Sequence, residues 1–237
     1  GVSTYIAPTV DGEHTVLVTD TDTAGNTATA LLTFTLDTVA PTATISLSDL
    51  TITKGETATV TVTFSEVPSG FDPAVDLTVV GGNLSNGSFD QSGKVWTATF
   101  TPTDDIQMSG TPVGLASSAW SDTAGNAPLS NAWSQDASID THNPTATITM
   151  VDSALKIGET SLVTIAFDEA VANFANDDVT VANGTLGTLT STDGGMTWTA
   201  TFTPASNVED TSNVIILADT YTDIRGNIGT AATSANY

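Results

Sequence analysis

The chain of 237 residues contains no cysteine, and this absence excludes disulfides as a source of its stability. Its two histidines, His14 and His142, are isolated, so a zinc site built from cysteine and histidine is not expected. Lysine and arginine are also scarce. Four basic residues stand against 27 aspartates and glutamates, which gives a formal net charge of −23. Such a chain repels nucleic acid and anionic membranes, and it attracts cations.

Long apolar runs are absent as well. No stretch approaches the ~20 apolar residues of a membrane span, so membrane insertion of this segment is not expected. The first residues do not read as a signal peptide, and we expect any export signal to lie elsewhere in the protein. Neither histidine lies near a suitable serine and acid, so no nucleophile and base form an evident pair. We therefore expect no enzymatic activity.

Threonine and short turn signals dominate what is present. The sequence has 46 threonines, and this β-branched residue suits strands that have one face in water. Apolar and polar residues alternate over 58–64 and 95–101, which predicts strands, and Gly, Asp, Asn and Pro separate such runs at short intervals. This pattern predicts an all-β fold of tandem immunoglobulin-like β-sandwich domains.

The chain repeats itself with a period of about 103 residues. Residues 37–45 read DTVAPTATI and residues 140–148 read DTHNPTATI, so each copy has an Asp, a stiff joint containing Pro, and then a strand. A period of this length is that of a small β-domain rather than of a solenoid coil. We expect the C-terminal part of an Ig-like domain at 1–36 and Ig-like domains at 37–139 and 140–237.

Three motifs carry a resemblance to a known family. They are the Asp-Thr-x-x-Pro-Thr joint, the Asp-x-x-Gly-Asn loop at 122–126 and 223–227, and the strand WTATFTP at 96–102 and 198–204. Together they resemble the bacterial immunoglobulin-like repeats that build the stalks of giant adhesins exported by type I secretion. The resemblance implies a rod of domains on the bacterial cell surface, with Ca²⁺ at the joints. Its implied partners are neighbouring repeats of the same chain, and a host or substratum surface contacted through another part of the protein.

Acidic residues beside the joints are the candidate metal ligands. In a seven-stranded sandwich, two loops lie at the end where the first strand begins, so their carboxylates should meet the joint Asp. Ca²⁺ takes about 6–8 oxygen ligands, and few basic residues compete for these carboxylates. The predicted ligands at the first joint are Asp11, Glu13, Asp37, Glu66, Asp76, Asp122 and Asn126. Those at the second joint are Asp104, Asp105, Asp140, Glu169, Asp178, Asp223 and Asn227. Asp22 is a further predicted ligand in the N-terminal part.

Some of these residues could instead serve purely structural roles. The loops at Asp22, Asp122 and Asp223 could be ordinary Asx turns with Gly at positive φ, although their recurrence favours a metal. Asp104 and Asp105 could lie in a solvated loop. His142 is expected to be a spacer in the joint rather than a ligand.

The alternative function is a lectin-like, carbohydrate-binding module. Trp120, Trp133 and Tyr221 could form an exposed platform on which sugar rings stack. However, Trp120 and Tyr221 occupy matching positions of the two repeats, so they are expected to cover a loop. Trp96 and Trp198 also match, within a strand, and are expected in the core.

Overall fold

The computed structural model describes residues 6–237, so residues 1–5 of the predicted N-terminal part lie outside the described residues. The described chain is almost entirely β, which confirms the predicted all-β class. It forms two compact units. The first contains the described residues up to Leu50 together with Thr57–Thr101 and Gly110–Ala137, and the second contains Thr51–Glu56, Pro102–Ser109 and Ser138–Tyr237.

The N-terminal part is an antiparallel hairpin of two long strands, β1 (Gly12–Thr21) and β2 (Thr27–Leu36). Their register is continuous and places Val16 opposite Leu32 and Leu17 opposite Leu31. Almost every residue of both strands is exposed, because no second sheet packs on either face among the described residues. The hairpin is therefore held mainly by its own ladder.

The next stretch of chain contributes ten strands and one helical turn. The strands are β3 (Ala43–Leu47), β4 (Thr51–Thr53), β5 (Ala58–Phe64), β6 (Leu77–Val79), β7 (Gly82–Phe89), β8 (Val95–Pro102), β9 (Gln107–Gly110), β10 (Val113–Leu115), β11 (Ala132–Trp133) and β12 (Ala137–Asp140). The helical turn is α1 (Pro73–Asp76), which Asp72 caps by accepting the backbone N–H of Ala74 at 3.0 Å.

Two sheets form the core of the first unit. β3, β5, β8 and β7 form a four-stranded sheet in that order, and β11, β10 and β6 form a three-stranded sheet. Side chains of β5 alternate between the two faces of the sheet, so Val60 and Val62 are completely buried, whereas the threonines between them are exposed or half-buried. Phe100 from β8 and Val113 from β10 are also fully buried, so each sheet contributes buried apolar side chains to the first unit.

A further sheet belongs to the second unit and has the order β4, β12, β9. β12 runs parallel to β4, with Ser138 in register with Thr51 and Ile139 in register with Ile52. Both isoleucines are 1% exposed.

The remaining chain forms ten strands and one 3₁₀ helix. The strands are β13 (Ala146–Met150), β14 (Ser161–Phe167), β15 (Val171–Ala172), β16 (Val179–Val181), β17 (Gly184–Leu186), β18 (Thr190–Ser191), β19 (Thr197–Pro204), β20 (Ile215–Leu217), β21 (Thr222–Asp223) and β22 (Ala232–Thr233). The 3₁₀ helix covers Asn176–Asp178.

The sheets of this part repeat those of the first unit. β13, β14, β19 and β17 form one sheet, with β18 also paired to β19, and β16, β20 and β22 form another. Buried side chains of both sheets, among them Ile165, Phe202 and Ile215, form one hydrophobic cluster. β15 and β21 pair separately, beside the acidic loop that follows β21.

Tyr221 connects this core to the joint. Its ring is fully buried and packs against Phe167 and Phe174, with centroids 5.0 and 5.8 Å away. Its hydroxyl lies 3.1 Å from the carbonyl oxygen of Pro144 and 2.8 Å from that of Thr230. The core therefore fixes the Pro of the joint and the chain that follows the acidic loop.

Candidate metal centre

A five-residue loop positions one carboxylate of each candidate site. Oδ1 of Asp122 accepts the backbone N–H of Asn126 at 2.8 Å, and Oδ2 accepts the side-chain N–H of Asn126, also at 2.8 Å. Gly125 has a φ of +96°, a conformation that glycine adopts without steric cost. The same Asp–Asn bonds close the loops that begin at Asp22 and Asp223. The motif therefore encodes one closed loop in three places.

Two of these loops, those of Asp122 and Asp223, hold the Asp side chain in a buried position. Asp122 and Asp223 are each 1% exposed. Burial alone raises the pKa of the Asp122 carboxyl, but hydrogen bonds from Asn126 and from the loop backbone outweigh it and keep the pKa below its usual range. A negative charge is thus maintained beside the joint.

The loop asparagines connect this carboxylate to the joint itself. Nδ2 of Asn126 donates to the backbone oxygen of Asp37 at 3.0 Å, and Nδ2 of Asn227 donates to that of Asp140 at 3.1 Å. Each joint Asp also accepts, through Oδ1, the backbone N–H two residues further on, at 3.1 and 3.3 Å. The joint Asp and the loop Asp are consequently held close together in both repeats.

A glutamate after the second strand of each repeat completes the cluster. In each group of three, one carboxylate oxygen per residue lies within 4.8 Å of the other two. The groups are Asp37, Glu66 and Asp122 in the first unit and Asp140, Glu169 and Asp223 in the second. The structure thus brings together six of the predicted ligands.

The pKa of the glutamate in each cluster is raised by burial and by the neighbouring carboxylates. Burial, followed by the nearby charges of Asp223 and Asp140, raises the pKa of Glu169 to about 7. Burial, Asp122 and Asp37 raise the pKa of Glu66 in the same direction. Three carboxylates this close repel one another unless a proton or a cation intervenes.

Glu169 also has an oxygen without a hydrogen-bond partner. Its side chain is 13% exposed, and Oε1 is buried with no hydrogen bond, whereas Oε2 accepts the side-chain N–H of Gln107 at 2.5 Å. The same nitrogen of Gln107 lies 3.4 Å from Oδ2 of Asp140. Sequence reasoning missed Gln107, because its counterpart in the last repeat, Glu209, suggests no amide at this position.

His142 is more than a spacer. Its Nδ1 lies 2.5 Å from Oδ1 of Asp105, and its Nε2 lies 3.1 Å from Oδ2 of Asp168 and 3.9 Å from Oε1 of Glu169. The hydrogen bonds with Asp105 and then Asp168 raise the pKa of His142. His142, Asp168 and Glu169 form a third group that offers ligand atoms within 4.8 Å of one another.

The other predicted ligands lie outside these three groups. Among them, Asp105 contacts one group through its bond with His142. Oδ1 of Asp11 accepts the N–H and O–H of Thr38, and Asp22 is bound within its own loop. Oδ2 of Asp76 accepts the Asp72 N–H at 2.6 Å. Asp178 is a buried cap that accepts the hydroxyl of Thr220 and the N–H of Ala175. Glu13, in β1, and Asp104, after β8, are both exposed.

The donor set suits a hard cation. Carboxylate oxygens are the preferred ligands of Ca²⁺, and the buried Oε1 of Glu169, which has no hydrogen bond, is an atom that a cation would satisfy. Asp140, Glu169 and Asp223 would hold the ion in the second unit, and Asp37, Glu66 and Asp122 in the first. The side chain of Asn227 has other partners: its Oδ1 accepts the Lys54 N–H at 3.0 Å, and its Nδ2 donates to the backbone oxygen of Asp140 at 3.1 Å.

The aromatic residues do not form a shared platform. Trp120 and Tyr221 are 5% and 0% exposed, so they cannot stack on a sugar ring, whereas Trp133 is 55% exposed. The ring of Trp133 lies directly over Gly114, where a Cβ atom would stand 2.2 Å from it. One isolated aromatic side chain remains of the three that the lectin alternative requires.

The paired sheets and recurring joint define a protein of tandem immunoglobulin-like domains. A family model described as a bacterial Ig-like domain matches residues 37–139 and 140–237. These two matches cover most of the chain, so the chain belongs to this family, and the predicted tandem Ig-like fold is confirmed. A search of curated proteins finds no match.

Solved structures include distant structural relatives. The Escherichia coli adhesin FdeC is 13% identical, with 99% of this chain and 88% of that chain covered and a TM-score of 0.41. The Yersinia pseudotuberculosis adhesin InvE is 14% identical, with 82% and 58% covered and a TM-score of 0.32. InvD of the same species is 17% identical, with 82% and 57% covered and a TM-score of 0.33. This chain thus spans little more than half the length of those two.

Within residues 6–237, no helix has the length and apolar character needed to cross a membrane.

Proposed function

We propose that this chain is a stalk segment of a bacterial surface adhesin, in which Ca²⁺ bound at the two acidic clusters fixes the joints between Ig-like repeats. Membership of the bacterial Ig-like family supports the tandem architecture. The observation that carries the proposal is the recurrence of one cluster, Asp–Glu–Asp, at equivalent places of both repeats. In the second cluster, Oε1 of Glu169 is buried and has no hydrogen-bond partner.

Ca²⁺ supplies the positive charge that each cluster lacks. The chain itself positions the ligands: the Asp-x-x-Gly-Asn loop holds one carboxylate, and its Asn holds the backbone of the joint Asp. Without a cation the carboxylates repel one another, which favours several geometries of the joint. With the cation, repulsion becomes attraction, and one geometry is stabilised because the native state alone presents all the ligands.

The remaining parts of the proposal concern the setting of the stalk. The protein is exported, by type I secretion, to the bacterial cell surface, where neighbouring repeats of the same chain are its immediate partners. Contact with a host or substratum surface is made by another part of the protein. The strongly acidic composition suits a calcium-rich exterior and disfavours nucleic acid as a partner.

The test combines a calcium titration by calorimetry with small-angle scattering. We expect saturable binding of Ca²⁺, and in EDTA a broader distribution of particle dimensions and a lower melting temperature. The double variant Asp37→Ala/Asp140→Ala is the matched control and should behave in Ca²⁺ as the native protein does in EDTA. Identical scattering profiles with and without Ca²⁺ would refute the calcium-stiffened stalk. Binding on a glycan array, independent of Ca²⁺, would favour the lectin alternative instead.

A further inference from the structure

The second unit contains the same structural edge twice. The filled edge consists of residues 51–56 and 102–109, and the open edge consists of their counterparts in the repeat, 154–159 and 204–211. The local structure agrees with this correspondence. Oε2 of Glu56 accepts the N–H of Thr53 at 2.8 Å, and Oε2 of Glu159 accepts the N–H of Lys156 at 2.9 Å. Matching residues of the second segments, at positions 105 and 207, share a positive φ of 62° and 59°.

An extended segment occupies the filled edge. β12 lies between β4 and β9, parallel to β4, and places Ile139 beside Ile52. Just beyond β12, the N–H of Thr141 donates to the carbonyl oxygen of Ile106 at 2.8 Å, and its hydroxyl donates to that of Thr103 at 2.7 Å. Thr141, like both isoleucines, is 1% exposed. A short Ser-Ile-Asp-Thr segment, residues 138–141, therefore closes this edge.

The open edge is a groove of about 750 Å³. Leu155, the counterpart of Ile52, is only half-buried, and residues 154–156 form no strand. Ile157 is 82% exposed and Val208, the counterpart of Ile106, is 42% exposed. Apolar side chains thus line a site whose backbone groups have no strand partner there. The lining includes Leu155, Ile157, Phe202, Ala205, Val208 and Tyr237.

We propose that the groove at the open edge binds the joint segment of another repeat of this family. The ligand is an extended peptide with the pattern of residues 138–141, which lies parallel to residues 154–156 and places its Ile against Leu155. The filled edge of the same unit supports this proposal, because equivalent groups bind such a segment there. Edge strands and apolar grooves recognise extended peptides through main-chain hydrogen bonds and through alternate side chains.

Lys156 adds a charge preference to the groove. In the filled edge Asp140 is in register with Thr53, whose counterpart in the open edge is Lys156. The third residue of the bound segment therefore lies opposite Lys156. Side chains in register on adjacent strands share one face of the sheet, so a lysine there favours an acidic residue. This lysine is one of four basic residues in the chain.

The inference rests on the proposed stalk only for the source of the segment, and it involves neither acidic cluster. The test is therefore made in excess EDTA, where failure of the calcium hypothesis has no effect on it. The full chain is extended directly after Tyr237 by Ser-Ile-Asp-Thr. Tyr237 is the counterpart of Ala137, because the hydroxyls of Ser134 and Ser234 accept equivalent N–H groups, those of Val113 and Ile215.

Hydrogen exchange is measured in the extended chain and in a control extended by Ser-Asp-Asp-Thr. We expect the amides of residues 155, 157 and 206–209 to exchange about tenfold more slowly with the Ile segment than with the control. The Val208 amide is the most direct reporter, because its counterpart, the N–H of Ile106, donates to the hydroxyl of Thr141 in the filled edge. Lys156→Glu in the Ile-extended chain should reduce this protection, whereas Lys156→Thr, which reproduces the filled edge, should retain most of it. Equal exchange in the two extended chains would overturn the proposal.

Self-association is the competing occupant, and sedimentation of the unextended chain tests it. A concentration-dependent dimer that protects the same amides would identify the groove as a surface for a second copy, and the proposal would be wrong. A monomer with fast exchange at these amides is the expected result.

Discussion

His142 and Asp168, which lie 3.1 Å apart from Nε2 to Oδ2, both differ from their counterparts in the preceding repeat. The corresponding residues are Val39 and Ser65. Asp168 retains the structural bond of Ser65, because each accepts the N–H of the Thr that follows the joint Pro, at 2.8 and 2.9 Å. Asp168 therefore places a charge beside His142 and still makes the hydrogen bond that Ser65 makes in the preceding repeat.

Replacement of His142 by Val should weaken the second unit in a pH-dependent way. The pKa of His142 is raised in the folded state by Asp105 and then by Asp168, so its contribution is complete below the ordinary pKa of about 6.5. It is lost as the pH rises through the raised folded-state pKa. We expect His142→Val to cost roughly 1 kcal/mol at pH 5.5 and less at pH 9, since the pair is partly exposed. Urea unfolding in EDTA measures this, with Val39→Ala as the control. An equal cost at both pH values would contradict the ion pair.

Glu169→Gln should stabilise the protein in EDTA at alkaline pH. The folded-state pKa of about 7 exceeds the ordinary value of 4.5, so the folded state binds the proton more tightly. Stability is then lost as the pH rises from about 4.5 to 7. The Gln variant escapes this loss, and we expect a gain on the order of 1–3 kcal/mol at pH 8 and almost none at pH 4. Thermal unfolding at both pH values is the measurement. A variant less stable than the native chain at pH 8 would show that the charge is already compensated.

Loss of one joint Asp should remove one calcium site and leave the other. Asp37 and Asp140 belong to separate clusters, each closed by its own loop. We expect Asp37→Ala and Asp140→Ala each to remove about half of the bound Ca²⁺, because the two clusters share no ligand. Calorimetric stoichiometry of the two variants tests this. Abolition of all binding by either substitution would mean that the clusters do not act as separate sites.

Tyr221→Phe should destabilise the second unit although it preserves the ring. The hydroxyl donates to a buried carbonyl and lies within hydrogen-bond distance of two, those of Pro144 and Thr230. Its removal takes a donor from the buried carbonyl of Pro144 and the half-buried carbonyl of Thr230, which costs about 1 kcal/mol. Denaturant unfolding provides the number. Val151→Ala, at a position that is 79% exposed, is the control and should be near neutral. An unchanged midpoint for Tyr221→Phe would show that the hydroxyl does not fix the joint.

The hairpin of β1 and β2 should be the least protected part of the chain. Leu17, Val18, Leu31 and Leu32 are 57–67% exposed, and isolated two-stranded hairpins are marginal in water. We expect its amides to exchange much faster than those of β5 and β8 in a monomer. Hydrogen exchange with mass spectrometry measures this directly. Equal protection in all three regions would show that the hairpin is stabilised by more than its own ladder.

The sequence by itself determined the elements whose signals are local. Strands β5 and β8 coincide with the alternating runs, because a period of two has one good solution when one face is buried. The Asp-x-x-Gly-Asn loop closes through bonds within five residues, so its geometry is written in the motif. The repeat also predicted that the joint Asp, the loop Asp and the glutamate after the second strand would meet.

Only the tertiary structure decided which distant side chains complete the site. Asp76 and Asp178 were predicted to reach the joints, but backbone N–H groups only three or four residues away bind them as caps. Gln107 and Asp105 reach the joint from 33 and 37 residues away because backbone pairing fixes where their loop lies. Local patterns cannot specify such contacts, since they depend on the register of strands far apart in the chain. The repeat therefore predicts the three carboxylates of each cluster. The tertiary fold determines which other groups, such as Gln107 and Asp105, surround the second cluster.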